Sequence, residues 1–387
     1  MVETKIERIR VMRIIARMNV GGPAVQVSGL MRGFDASRFD QKLVTGYCAV
    51  DESDYLETVA TDVTATRING LGRSISPRAD LAAFIQVVRE IRAFRPHVIH
   101  THTAKAGVIG RIASIVSGHS SVRVHTYHGH LLHGYFEKYK TLLVILIERF
   151  LALFTTKLLA VGKKVMDDLL AVRIGTAKKF AVMPPGLQLG TLPTRAEACK
   201  TLGLDPSLKY CAFIGRITKI KRPDRFLDAV ALVNSQNTDL HFIVAGAGDL
   251  LKYSQERSAK EGLPVTFLGW RQDIETVLAA SDLVLLTSDN EGTPLSLIQA
   301  GMANLPIVAT KVGSINEIVV DGETGFLTDL SAQSLADAVQ KLSSSQSLRD
   351  EMGKKAHEYT IERYGVERLV RDHQDLYLQL LNDRANS

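Results

Sequence analysis

Leu283-Val-Leu-Leu-Thr-Ser-Asp-Asn-Glu-Gly-Thr-Pro-Leu-Ser-Leu-Ile-Gln299 is the stretch that decides the fold. Its apolar opening reads as a buried strand ending at Thr287, followed by a short polar loop. Thr293 before Pro294 then reads as a helix start, with Thr293 at the N-cap and Pro294 in the first helical position. A buried strand that runs straight into a helix N-terminus is a βα unit of a parallel sheet, and doubly wound folds bind ligands at that carboxyl edge. Free N–H groups and the helix dipole there favour an anion such as a diphosphate. Glu291 sits in the loop at the mouth, and Gln299 lies five residues into the helix, about 7.5 Å along its axis. The pair reads either as two grips on one extended ligand or as a surface acid and an exposed helix residue. Spacing alone leaves both open.

Working outward, the same alternation of strand and amphipathic segment fills most of the chain. Strands are expected at Arg10–Ala16, Gln41–Gly46, Thr64–Ile68, His97–His102, Val122–His128, Lys157–Val161 and Phe180–Met183, with helices such as Pro77–Phe94 and Tyr139–Phe154 between them. The pattern restarts with Tyr210–Gly215, Leu240–Gly246, Val265–Leu268, Leu283–Thr287, Ile307–Thr310 and Gly325–Thr328. Two doubly wound parallel sheets follow. Pro184, Pro185, Gly186, Gly190 and Pro193 mark the linker. The expected domains are residues 1–187 and 188–365, with a C-terminal helix over 366–387. Its apolar residues Leu369, Val370, Leu376 and Leu380 need a surface; the first domain is one candidate, and the pattern does not choose.

The 387 residues, 45% hydrophobic and 23% charged, suit two packed domains and exclude disordered, collagen-like and coiled-coil classes. Cys48, Cys199 and Cys211 are odd in number and far apart, so the sequence predicts neither a disulfide framework nor a zinc site, and a reducing cytosol. Met1–Arg10 mixes acids and bases before an apolar run that Arg13 breaks, which does not read as a signal peptide. Leu142–Phe154 is interrupted by Glu148 and Arg149 and is too short to span a bilayer. Residues 1–190 carry 26 Lys and Arg against 15 Asp and Glu, +11, whereas residues 191–387 carry 21 against 26, −5. The first half is thus suited to an anionic surface or ligand. Nucleic acid is not expected, because no reading motif accompanies the scattered cations.

Three further segments carry polar groups at strand ends. Cys211-Ala-Phe-Ile-Gly-Arg-Ile-Thr-Lys-Ile-Lys-Arg222 brings Gly215, Arg216 and Lys221 to a sheet edge, where paired cations can neutralise a diphosphate without a metal. Gly21-Gly22-Pro23 follows the first strand and opens a helix, which either lets backbone approach a ligand or simply makes a tight turn. Val124-His125-Thr-Tyr-His128-Gly-His130 ends a first-domain strand, and one ligand-facing histidine fits it better than a metal. Gly-x-Gly-x-x-Gly and Walker loops are absent, and Asp51-Glu-Ser-Asp54 lacks Asp-x-Asp spacing.

Taken in order, Gly21-Gly22, His128-Gly129, Gly215-Arg216 with Lys221, Gly246-Ala-Gly248, Glu291-Gly292 with Gln299, Val312-Gly313 and Asp321-Gly-Glu-Thr-Gly325 resemble the retaining family 4 glycosyltransferases of the GT-B fold. The likeness covers about residues 10–330 and is nearest to capsule, exopolysaccharide and lipopolysaccharide members. It implies an α/β GT-B chain whose two Rossmann-like domains face a cleft, with a nucleotide sugar on the second domain and the acceptor on the first. By that resemblance Arg216 and Lys221 hold the diphosphate, Glu291 contacts the donor sugar and Gln299 takes the ribose hydroxyls. N–H groups around Gly292, Thr293, Pro294 and Leu295 meet phosphate or sugar oxygens. Gly21 and Gly22 let the first domain close on the phosphate, His128 bonds the transferred sugar, and Gly246 and Trp270 lie on the base side. Two departures stand out: the family has a second glutamate where this chain has Gln299, and commonly a glycine where it has Arg222. A glutamine offers one acceptor oxygen where a glutamate offers two.

The resemblance implies a metal-independent hexosyltransferase with no cofactor, a UDP-sugar donor and a glycan or polyprenyl-linked acceptor in cell-surface polysaccharide assembly. The cysteine usage predicts a cytoplasmic setting, and the +11 first half with the apolar Leu142–Phe154 stretch reads either as peripheral association with an anionic inner membrane face or as a buried core helix in a chain with a soluble acceptor. A sugar-nucleotide 2-epimerase and a sugar-nucleotide-binding regulator without turnover are the alternatives.

Overall fold

A computed structural model describes residues 8–50, 52–129, 138–236 and 239–386, with side chains from 141 onward in the third segment. The first seven residues of the N-terminal segment read above, Asp51 and His130 lie outside the described residues. Two compact units are present: Met1–Leu187 with Gly365–Ser387 (unit 1), and Gln188–Tyr364 (unit 2).

Unit 1 is built on seven strands: β1 Ile9–Ile15, β2 Phe39–Thr45, β3 Thr66–Arg67, β4 Val98–His102, β5 Val122–Tyr127, β6 Lys157–Ala160 and β7 Phe180–Val182. Their order is β3-β2-β1-β4-β5-β6-β7, with every pairing parallel. Unit 2 has β8 Lys209–Ile214, β9 Leu240–Ala245, β10 Val265–Gly269, β11 Leu283–Leu286, β12 Ile307–Thr310 and β13 Gly325–Thr328, in the order β10-β9-β8-β11-β12-β13 and again parallel. Both sheets are doubly wound, as the sequence pattern requires. In each, the winding reverses beside the first strand, between β1 and β4 and between β8 and β11. Those switch points open a crevice at the carboxyl edge.

Helices cover both faces of the unit 1 sheet, so neighbouring residues of β1 are both buried, which explains its unbroken apolar run. Met12 and Ile14 pack with Val87, Ile91 and Ile109 on one face; Val11 packs with Leu30, Phe34, Leu369 and Leu380 on the other. Arg13 is fully buried rather than a surface interruption: its guanidinium lies 4.5 Å over the Phe34 ring and donates to Gln41 Oε1 at 2.5 Å.

The helix Val366–Ala385 belongs to unit 1 and buries Leu369, His373, Tyr377 and Leu380. The sequence placed Val370 and Leu376 in that stripe, but they are only partly buried. His373 and Tyr377 take the inner positions because their polar tips find partners: Tyr377 Oη lies 2.5 Å from His100 Nδ1, and His373 Nδ1 lies 2.8 Å from the Leu369 carbonyl. Apolar counting passes over such residues.

Candidate functional site

In unit 2, the segments after β8 and β11 flank the switch point. β8 ends at Ile214, and Gly215 and exposed Arg216 follow. The turn Lys219–Lys221 then carries Lys221 back toward β11. Its ammonium pairs with Glu291 Oε1, with both side chains largely buried (14% and 11% exposed). Ser288 Oγ donates to the same oxygen at 2.5 Å. Both contacts fall on Oε1, which leaves Oε2 for a ligand.

The Glu291 loop is braced from below. Thr287 Oγ1 donates to the Lys221 carbonyl at 2.9 Å, and the Asp289 N–H donates to that of Ile220 at 2.9 Å. Buried Arg225 donates to the Thr287 carbonyl at 2.8 Å and to Asp289 Oδ1 at 2.7 Å. Gly313 holds the far side at φ +55, and a Cβ there would sit 1.8 Å from the Glu291 carbonyl oxygen. Only glycine permits that approach. Gly246 plays the same part between strands, where a Cβ would meet the Gly215 carbonyl oxygen at 1.9 Å. Its N–H donates to the Gly269 carbonyl at 2.7 Å, next to half-exposed Trp270.

The helix after β11 starts one residue later than the sequence reading had it. It spans Leu295–Met302, Pro294 occupies the N-cap with an extended ψ of 112°, and no side chain caps it, so Thr293 is not the cap. Proline at the cap fixes the chain direction and leaves the first-turn N–H groups of Leu295 and Ser296 without an intrahelical acceptor. Gln299 is the fifth residue of this helix and half-buried. The buried hydroxyls Thr218 Oγ1 and Ser314 Oγ, beside the Arg216 and Glu291 segments, have no protein partner. Such groups are costly unless a ligand or water meets them.

Arg222 explains the family's glycine. Its backbone is left-handed, φ 53 and ψ 58, a conformation that costs a non-glycine residue about 1 kcal/mol. Here the guanidinium grips Asp224 at 2.7 Å and Asp289 at 3.1 Å, which anchors the strained turn to the Glu291 loop.

In unit 1, Gly21 and Gly22 open the helix Gly22–Gly33 after β1, and a Cβ on Gly21 would find nothing closer than the Asn19 carbonyl oxygen at 3.9 Å. His128 follows β5, and its Nε2 lies 3.0 Å from His102 Nδ1 at the end of β4. Desolvation pushes His128 down to about 4, so the ring is neutral near pH 7. An open cavity of about 540 Å³ at the ends of β2 and β3 is lined by Tyr47, Cys48, Asn69, Gly70, Arg73 and Ser74. Among the described residues, no three His, Cys, Asp or Glu are grouped to hold a metal ion.

The structure thus groups Gly215, Lys221, Gly292 and Glu291 at one edge, and Gly246 with Trp270 beside it. Ser288, Arg225, Asp289 and His102 were missed by sequence reasoning. For His102 a signal existed, the period-two pair His100 and His102 on one strand; for Arg225 none did, because a helical arginine is ordinarily solvated.

Residues 21–186 match the family described as glycosyl transferase 4-like domain, and residues 195–359 match glycosyl transferases group 1. The chain is 27% identical over 339 residues to the UDP-Gal:alpha-D-GlcNAc-diphosphoundecaprenol alpha-1,3-galactosyltransferase of Escherichia coli, covering 85% of this chain and 86% of that one. A D-inositol 3-phosphate glycosyltransferase of Mycolicibacterium gilvum is 35% identical over 162 residues, 38% of this chain and 35% of the relative. Anabaena HepE in complex with UDP has a TM-score of 0.80 at 20% identity, over 96% of this chain and 100% of that one, a likeness of fold.

Proposed function

Because the chain belongs to the family 4 glycosyltransferases of the GT-B fold, we propose that it transfers a sugar, with retention, from a UDP-sugar to a hydroxyl of a glycan or polyprenyl-linked acceptor in cell-surface polysaccharide assembly. The observation that carries this reading is the meeting of the Lys221 and Glu291 loops at the β8/β11 switch point, beside a helix N-terminus. The relative's name supplies the acceptor class: it acts on a diphosphoundecaprenol-linked sugar. HepE, which shares the fold, was solved with UDP and with UDP-glucose.

In this reading unit 2 takes the donor. Arg216, Lys221 and the N–H groups of the Gly292–Leu295 segment stabilise the charge that develops on the leaving diphosphate, without a metal. Glu291 Oε2 contacts the sugar, Gln299 the ribose, and Gly246 and Trp270 the base side. Unit 1 takes the acceptor, with Gly21 and Gly22 yielding room for phosphate and neutral His128 bonding a sugar hydroxyl through Nδ1. The resemblance to the family supports a front-face route, in which an oxygen of the leaving diphosphate assists the acceptor hydroxyl and Glu291, paired with Lys221, positions the sugar. The setting is the cytoplasmic face of the cell membrane.

The test is incubation with a panel of UDP-sugars, with and without lipid-linked and soluble glycan acceptors, read by mass spectrometry and by the anomeric proton signals of the product. Transfer with retained configuration, undiminished by chelator, is expected. Epimerised donor without acceptor would indicate the 2-epimerase; binding without any product would indicate a regulator; rescue by Mg²⁺ or Mn²⁺ after chelation would overturn the account of the leaving group.

A further inference from the structure

The helix Lys138–Leu153 of unit 1 has a fixed orientation. Glu148 on its inner side is buried and accepts from Arg111 Nη2 at 2.7 and 2.8 Å and from Tyr127 Oη at 2.7 Å. Leu151 and Ala152 are buried beside it. A buried ion pair tolerates little rotation, because turning the helix would strand a charge in the interior. The opposite side is therefore held outward, and it is apolar: Leu142, Leu146, Phe150 and Leu153 are each at least half exposed. The neighbouring helix Ala104–Val116 adds Ile115 and Val116. Of the 23 large hydrophobic side chains exposed among the described residues, nine lie in these two helices. Scattered exposed hydrophobics need no explanation, but a contiguous patch does.

Cations frame the patch. Lys179 Nζ donates to the Ala152 and Leu153 carbonyls at 2.8 and 2.9 Å, Arg123 to that of Phe154 at 2.5 Å and Arg149 to that of Val172 at 2.8 Å. Arg173 and Lys178 are exposed next to them. Among the described residues, none of these five forms an ion pair with a carboxylate. Residues 104–182 carry 12 Lys and Arg against 4 Asp and Glu. A second copy of the chain, meeting this face by two-fold symmetry, would set those cations against themselves. An apolar stripe framed by unneutralised cations is instead complementary to a bilayer surface with anionic headgroups.

We propose that the exposed faces of helices Lys138–Leu153 and Ala104–Val116, with their flanking cations, are the surface by which unit 1 lies on an anionic membrane. The inference rests on the lipid-linked acceptor for its purpose, but its test needs neither donor nor acceptor. The full chain is sedimented with phosphatidylcholine vesicles with and without phosphatidylglycerol, at low and high salt. Binding is expected only to the anionic vesicles, weakened by salt, about fivefold weaker for each of Arg173→Gln and Lys178→Gln, and at least tenfold weaker for the double variant Leu146→Glu/Phe150→Glu. Ile361→Glu, at an exposed apolar position of unit 2, is expected to leave binding unchanged. Vesicle binding that survives Leu146→Glu/Phe150→Glu would overturn the proposal. So would a vesicle-indifferent chain that sediments as a dimer and becomes monomeric in that variant. A chain that binds vesicles without transferring sugar keeps this inference and sinks the glycosyltransfer reading; one that transfers sugar to a soluble acceptor but ignores vesicles does the reverse.

Discussion

Mild acid is expected to unfold unit 1 before unit 2. His100, His102, His125 and His373 are all buried in unit 1, whereas unit 2 has no buried histidine among its described residues. Desolvation is the main cause that holds each one down, and positive or titrating neighbours add to it. Arg13, His102 and His373 face His100; His128 and Arg13 face His102; Arg111 faces His125; Arg13 and Arg368 face His373, which is pushed down to about 3. The folded chain thus keeps these rings neutral, while the unfolded chain protonates them near pH 6.5. Their contribution is complete above about pH 6.5 and is lost as pH falls, because the unfolded state gains protons that the folded state refuses. At about pH 5.5 the linkage amounts to between about 1 and 2 kcal/mol for each such histidine, and about 6 kcal/mol if the four acted independently. That is a large share of a domain's usual 5–15 kcal/mol, and for a unit of this size it corresponds to a Tm about 10–20 °C lower. Paired carboxylates in both units, such as Asp62 and Asp273, lose their contribution only below about pH 4.5, outside this window. Trp270 is the chain's one tryptophan and lies in unit 2. Thermal melts from about pH 7.5 to about pH 5.5 should therefore show far-UV circular dichroism falling early while Trp270 emission holds. An unchanged dichroism melt, or a Trp270 transition that moves first, would refute the reasoning.

On the proposed donor reading, Glu291→Ala should lower kcat about 100-fold without raising KM for the donor, since Lys221 would lose its partner but keep its charge for a diphosphate; steady-state kinetics with unchanged kcat would contradict the assignment. Gln299→Glu should act mainly on the donor's KM, by at most about 2 kcal/mol, and a collapse of kcat would remove Gln299 from the ribose. Gly313→Ala should destabilise unit 2 by about 2–4 kcal/mol, because its Cβ would fall 1.8 Å from the Glu291 carbonyl oxygen at a left-handed φ. A Trp270-detected melt that stays in place would show that the loop yields.

The carboxyl edge of β11 was legible because its devices are local. A buried run such as Leu283–Leu286 must be a strand in a covered sheet, and the loop after it must present Glu291 at the carboxyl end, whatever the rest of the chain does. Lys221 was legible as a cation at a strand end, but its pairing with Glu291, 70 residues away, was not, since only the β8/β11 adjacency brings the two loops together. Thr293 was misplaced at the cap because Ser/Thr-Pro is a strong local start signal, whereas the extended backbone at Pro294 delays the first turn by one residue.

Alternation and turn chemistry, which act over a few residues, were enough to determine two doubly wound sheets and the strand ends that carry Gly21, His128, Arg216 and Glu291. What only the tertiary structure decided was every choice between distant partners. The terminal helix packs on unit 1 and turns His373 and Tyr377 inward, Arg13 is buried against Phe34, and Glu148 is locked to Arg111 so that Leu146 and Phe150 face outward. The physical reason is the same in each case. Whether a polar side chain is buried or solvated depends on whether a partner is waiting inside, and an unpaired polar group costs too much to bury while a paired one does not. Periodicity records which face of an element is apolar; it holds no record of the partner.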